Sequence, residues 1–117
     1  MLQKYEKTEF QERIKRLVVK IVKHYRGKGP DYVKVKIIDD NNFNIEIKGI
    51  LSNLSEILVD EGATDLVTNY WKVMKPHLEK SFYDDVKAEL GQGFQYAWKI
   101  YNFKNKERTI EINIKLI

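Results

Sequence analysis

The sequence predicts an α+β domain, a two-layer sandwich in the order α-β-β-α(α)-β-β, with a mainly antiparallel four-stranded sheet and its helices on one face. Two observations carry this. Apolar residues alternate with polar ones in two pairs of runs, each pair bridged by a turn-rich stretch. Between and before those pairs they fall instead at helical spacing. Hairpins with half-apolar strands bury one sheet face and need amphipathic helices to cover it. The 117 residues, without internal repeats or a low-complexity linker, correspond to a single domain, 1–117.

The first helix spans about residues 8–26. Thr8-Glu9-Phe10-Gln11 fits a capping box, in which the Thr hydroxyl accepts from the backbone three residues on and Gln11 reaches back. Phe10, Ile14, Leu17, Val18, Ile21, Val22 and Tyr25 then form one stripe, opposite Arg13, Arg16, Lys20 and Lys23. Gly27 tolerates positive φ and Pro30 cannot continue a helix, so the segment ends there.

Tyr32–Ile38 places Val33, Val35 and Ile37 opposite Lys34 and Lys36. Asp39-Asp40-Asn41-Asn42 is a turn cluster, because Asp and Asn bond their own backbone. Phe43, Ile45 and Ile47 alternate against Asn44, Glu46 and Lys48, which completes a hairpin. A short helix, capped by Ser52 or Asn53 and running to about Asp60, is expected to turn Leu54, Ile57 and Leu58 inward. Gly62 breaks it, and Thr64 or Asp65 opens a longer helix carrying Leu66, Val67, Tyr70, Trp71, Met74, Leu78, Phe82, Val86 and Leu90. Pro76 removes a hydrogen bond inside that pattern and predicts a kink or break near Lys75. After Gly91 and Gly93, residues 93–103 alternate again, with Phe94, Tyr96, Trp98 and Ile100 on one face. Asn102–Arg108 is a second turn region, and Ile110, Ile112, Ile114 and Leu116 mark the last strand. Local pattern leaves open how the two hairpins join.

Composition excludes more than it proposes. The chain has no Cys and two His, so disulfides, Cys-zinc sites, thiol nucleophiles and His-rich metal clusters are ruled out, and no cofactor is expected. No apolar run approaches the roughly 18 residues of a membrane span, and no signal peptide is visible, so a cytoplasmic location is expected. The net charge of +4 is unevenly spread. Residues 1–38 hold 11 basic and 4 acidic side chains, 39–90 hold 5 and 11, and 91–117 hold 5 and 2. Such a dipolar layout suits self-association or docking on a protein, and it motivates the expectation of a homodimer.

Catalytic candidates are thin. His24 and His77 read as structural or surface residues, and Asp84-Asp85 are adjacent on a helix and point apart. The Asp39–Asn42 cluster lacks the spaced ligands, central Gly and distal Glu of a calcium loop. No nucleophile elbow is present. Arg26, Gly27, Lys28, Gly29 and Pro30 form a basic glycine-rich turn that could hold an anion. It closes a helix, however, where the dipole is unfavourable to anions. Helix termination is therefore the first reading of these residues, and a protein-docking role stays open beside it. A competing candidate is the outward sheet face, with Tyr32, Lys34, Lys36, Lys48, Lys99, Tyr101 and Lys115, along with Gln95 and Asn113. Aromatics among lysines on an open sheet suit single-stranded nucleic acid, although Lys on exposed strands also discourages edge pairing.

Four features in order carry a family resemblance. They are the Gly27-Lys28-Gly29-Pro30 turn after Tyr25-Arg26, the Lys48-Gly49-Ile50-Leu51 exit from the hairpin, the acidic helix with Glu56 and Glu61-Gly62, and Gly91 before the final hairpin. Over residues 8–116 the chain resembles the MpsC-like family, formerly a bacterial domain of unknown function and named after a sodium-translocating membrane-potential-generating system. Pro76 and the aromatic Phe94/Tyr96/Trp98 strand depart from its pattern. The resemblance implies a soluble accessory or regulator of a membrane ion system, one of whose subunits is a possible partner, and supplies no catalytic residues. The expected function is a non-enzymatic protein–protein interaction module.

Overall fold

A computed structural model describes residues 6–100, with only the backbone of Ile100, and residues 109–117. The elements are α1 (Lys7–Arg26), β1 (Tyr32–Ile37), β2 (Asn42–Lys48), α2 (Asn53–Asp60), α3 (Thr64–Leu90), β3 (Phe94–Ile100) and β4 (Thr109–Leu116). This is the α+β order that the alternating and helical patterns require. The expected turn at 102–108 and Tyr101 lie outside the described residues.

The four strands are ordered β1-β2-β4-β3, all neighbours antiparallel. The C-terminal strand is therefore inserted beside β2, leaving β1 and β3 as edges. Burial explains the arrangement. Inward side chains of β2 and β4, including Ile45, Ile112 and Ile114, are completely covered, whereas Tyr96 on β3 remains 37% exposed. A strand contributing four large aliphatic residues to one face gains most at the centre, where strands flank it on both sides and the helices cover that face.

α1 and α3 cover that inner face. Phe10 of α1 meets Phe43 of β2 edge-on, with centroids 5.3 Å apart, and Phe82 of α3 meets Trp98 of β3 at 5.6 Å. The helices are also tied by polar contacts. The Tyr25 hydroxyl lies 2.8 Å from Ser81 Oγ, and Gln11 donates to the Val35 carbonyl at 3.0 Å.

Three local expectations change. Glu6, rather than Thr8, caps α1: its carboxylate accepts from the backbone N–H groups of Thr8 and Glu9 at 3.3 and 2.7 Å. An acidic cap also complements the positive end of the helix dipole. In α2, Ser52 caps as expected, its Oγ accepting from Ser55 N at 3.1 Å. Leu54 and Ile57, though, face solvent, and Ser55 is buried; Leu58 and Val59 alone of its apolar residues pack against the core. The helix is oriented with Glu56 toward Arg26, an ion pair at 3.5 Å, and with Leu54 and Ile57 outward.

α3 runs unbroken from Thr64 to Leu90 through Pro76. Pro76 is exposed, and the core anchors Trp71 and Leu78 on either side of it. Water can serve the carbonyl that loses its partner, so packing keeps the helix whole. The missing bond still costs. Pro76→Ala is expected to stabilise the protein by about 1–3 kcal/mol, less than the full propensity difference because Pro also restricts the unfolded chain. Thermal unfolding should show Tm rising by at least about 4 °C.

Candidate functional site around Arg26

The Gly-Lys-Gly-Pro turn is built on the last residue of α1. Gly27 takes φ 87° and donates its N–H to Lys23 O at 3.0 Å, which ends the helix. That cap turns the preceding Arg26 side chain inward, where it is 2% exposed. Its Nε donates to the carbonyl of Leu51, and Nη1 donates to the carbonyl of Gly29 at 2.7 Å. Nη1 also meets Asp31 Oδ1 at 3.3 Å, and Nη2 meets Glu56 Oε1 at 3.5 Å. A planar fork of donors is suited to this work, since one group serves four acceptors from three segments.

The turn also rests on the hairpin exit. Asp31 donates its backbone N–H to Lys48 O at 2.9 Å, and its carboxylate lies over Gly49. Gly49 has φ 77°, and a Cβ there would sit 2.4 Å from Asp31 Cγ. Only glycine fits both the backbone and the space.

Of the five proposed docking residues, Arg26 is thus not a surface contact; it is the clasp beneath the turn. Gly27 and Lys28 are exposed, and Gly29 and Pro30 are half-buried. Lys28 Nζ donates to Asn53 Oδ1 at 2.7 Å, which joins the turn to the start of α2. Sequence reasoning missed the inward turn of Arg26 because it lies one residue beyond the apolar stripe and carries a charge.

The outward sheet face brings together Tyr32, Lys34, Lys36, Lys48, Lys99 and Lys115, as predicted. Register adds what the lysine count left out. One row across the sheet reads Lys34, Glu46, Glu111, Lys99, so two carboxylates occupy its centre. The next row is Lys36, Asn44, Asn113, Ala97, with Asn44 Nδ2 donating to Asn113 Oδ1 at 2.6 Å and to Glu111 Oε1 at 3.1 Å. Lys48 lies 3.8 Å from Glu46 and over the Tyr32 ring at 5.4 Å. Alternation places each acid on this face, but only the β2–β4 register sets them side by side. Five lysines against two carboxylates leave the face net basic, but its centre is acidic rather than a continuous basic platform.

The remaining polar candidates have local roles. Asp39 accepts from Asn41 N at 2.8 Å and from Asn42 Nδ2, and these bonds, the backbone one foremost, lower its pKa. This is the turn chemistry expected of the cluster. The His24 ring packs edge-on against Tyr25 at 5.0 Å, and the backbone carbonyl of His77 accepts from the Tyr25 hydroxyl at 3.2 Å. Burial, with Glu79 nearby, raises the pKa of Tyr96. No group of three or more His, Cys, Asp or Glu converges on a metal position among the described residues. An apolar cavity of about 20 Å³, lined by Val22, Tyr25, Trp71, Met74 and Trp98 among others, has room for little more than one water-sized guest.

The motif residues noted in the sequence, Arg26 to Pro30, Gly49 to Leu51 and Glu56, are therefore one spatial cluster. A family model described as "Na+-translocating membrane potential-generating system (MpsC)" matches residues 6–112. The chain belongs to the MpsC family. No curated protein and no solved structure matches it significantly. No helix among the described residues of this MpsC chain is long and apolar enough to cross a membrane.

Proposed function

We propose that this MpsC chain is a soluble, cytoplasmic, non-enzymatic accessory or regulatory component of a membrane ion-translocating system, acting as a homodimer through protein–protein contact. The observation that carries the reading is the family match across residues 6–112. The turn offers a contact of suitable form. Lys28 stands exposed on a loop held by the Arg26 clasp and its own bond to Asn53. A preorganised loop loses little entropy on docking.

Affinity capture from native membranes after brief crosslinking tests this. A subunit of an ion-translocating system should be enriched, and Lys28→Glu should reduce its recovery about tenfold while unfolding is unchanged. Recovery that is equal for Lys28→Glu overturns the role of the turn, and capture without any ion-system subunit overturns the functional reading.

Single-stranded nucleic acid is the alternative, with Tyr32, Lys34, Lys36, Lys48, Lys99 and Lys115 as its contacts. The carboxylates of Glu46 and Glu111 amid those lysines argue against it. Anisotropy of a labelled oligo-dT at 50 mM salt is expected to show no binding tighter than about 100 µM, the weak end of non-specific affinity. Micromolar binding that weakens steeply with salt would reinstate it.

A further inference from the structure

The sheet has two edges, and they differ. Ile38 donates its N–H to Asn42 O across the β1–β2 turn, and Leu116 donates to Asn41 O beside β4. Bonding alternates along an antiparallel ladder, so these two bonds fix which backbone groups each strand gives its neighbour. On β1 the groups of Val33, Val35 and Ile37 point away from β2. On β3 those of Phe94, Tyr96 and Trp98 point away from β4. The first edge is closed at mid-strand, where Gln11 Nε2 donates to the Val35 carbonyl at 3.0 Å, with exposed Lys34 and Lys36 on either side. β3 has no such protection. It pairs without a bulge from Phe94 to Ile100 and contains one Lys and no Pro or Gly. Among the described residues no hydrogen bond to its outer groups is found. An unblunted edge of this kind is a template for another strand.

The residues of β3 indicate which strand. About a two-fold axis at Ala97, β3 pairs antiparallel with β3 of a second copy over its whole length. The outer groups of Tyr96 then bond those of Trp98, and Phe94 those of Ile100, about eight interchain bonds in all. Ala97 meets its own copy at a non-hydrogen-bonded position, where Cα atoms approach to about 4.5 Å and a small side chain is favoured. It is the smallest residue of the strand. Tyr96, 37% exposed, and half-buried Trp98 become a cross-strand aromatic pair, and Lys99 falls opposite neutral Gln95. Lys75, Glu79 and Tyr83 of α3 border Tyr96, and the two charges are already paired with each other at 2.9 Å. Strands about 4.8 Å apart lie under helices that pack about 10 Å apart, and joining two sheets at β3 continues both spacings. Because β1 is closed, pairing stops at two copies instead of growing into a filament.

We propose that β3 is the interface of a two-fold homodimer, paired with itself about Ala97 into a continuous sheet of eight strands, four from each copy. This dimer is the one named in the reading above and needs no ion-system subunit, so the purified chain alone tests it.

Sedimentation equilibrium of the full chain at about 100 µM should give twice the 13.9 kDa protomer. Amide exchange at Tyr96 and Trp98 should slow at least about tenfold from dilute to concentrated samples, with Val33 and Ile37 unchanged. Ala97→Lys and Ala97→Glu, at an exposed position, should each weaken the dimer at least about 100-fold with the circular dichroism spectrum unchanged. An equimolar mixture of the two variants should dimerise again, because opposite charges then meet at the axis. A monomer at that concentration overturns the proposal together with the homodimer, and leaves the ion-system reading to the capture experiment. A dimer that survives either Ala97 variant, or a mixture that stays monomeric, overturns the β3 interface alone.

Discussion

Replacing Arg26 by Ala is expected to destabilise the protein by about 3–5 kcal/mol, read as a fall in the urea midpoint at constant m-value. Where that energy resides can be argued from exposure. Asp31 is 69% exposed and Glu56 34%, so water solvates both carboxylates once the guanidinium is gone. Their ion pairs are worth at most about 1 kcal/mol each. The Leu51 carbonyl has no such recourse in its buried setting, where an unsatisfied acceptor costs about 1–3 kcal/mol, and the half-buried Gly29 carbonyl loses part of its solvation as well. The empty volume of the side chain adds to this. Asp31→Asn and Glu56→Gln should therefore each cost less than about 1 kcal/mol. Arg26→Lys should recover only part of the loss, because one ammonium cannot span the Leu51 and Gly29 carbonyls as the fork does. Neutral variants of Asp31 and Glu56 as damaging as Arg26→Ala would show that charge, not carbonyl satisfaction, holds the clasp.

Gly49→Ala is expected to cost about 2–4 kcal/mol, from two separable sources. A left-handed conformation costs an L-residue roughly 1–2 kcal/mol. The added Cβ would also lie 2.4 Å from Asp31 Cγ and 2.8 Å from its Cβ, too close for a rotamer change alone to relieve. Gly27→Ala supplies the comparison: its φ is 87°, with nothing within 4 Å of an added Cβ, so only the conformational cost should appear. Removing the obstruction with Asp31→Gly should rescue Gly49→Ala by at least about 1 kcal/mol in a double-mutant cycle. Additive effects in that cycle would show that Asp31 does not restrict the site.

These experiments bear on how the motif should be understood. Leu51 and Glu56 lie 25 and 30 residues beyond Arg26 in sequence, yet both meet its guanidinium. The motif that carries the family likeness thus first holds α1, the hairpin and α2 in one arrangement. A rigid joint and a docking loop are compatible, since the first fixes the position of the second. In that arrangement Lys28, rather than Arg26, is the exposed side chain of the turn.

The helices and strands were legible in the sequence because each follows a local rule. Phe10 to Val22 recur at the helical period, and Ile110 to Leu116 alternate at the strand period, whatever the rest of the chain does. The fold class follows from that succession. Other features depended on partners far along the chain. Pro76 was expected to interrupt α3, but buried Trp71 and Leu78 carry the helix through it. Leu54 and Ile57 have the spacing of inward residues, but α2 packs on Leu58 and Val59 with Glu56 toward Arg26, which leaves them outward. The lysines of the open face were countable, whereas the pairing of Glu46 with Glu111 required the β2–β4 register.

By itself, then, the sequence determined which segments are helix and strand and which face of each strand is apolar, since those depend on side-chain period alone. Tertiary structure decided the β1-β2-β4-β3 order, the rotation of α2, the burial of Arg26 and the open edge at β3. Each of these is a competition among non-local contacts. Period does not record its outcome, because the winning partner lies tens of residues away.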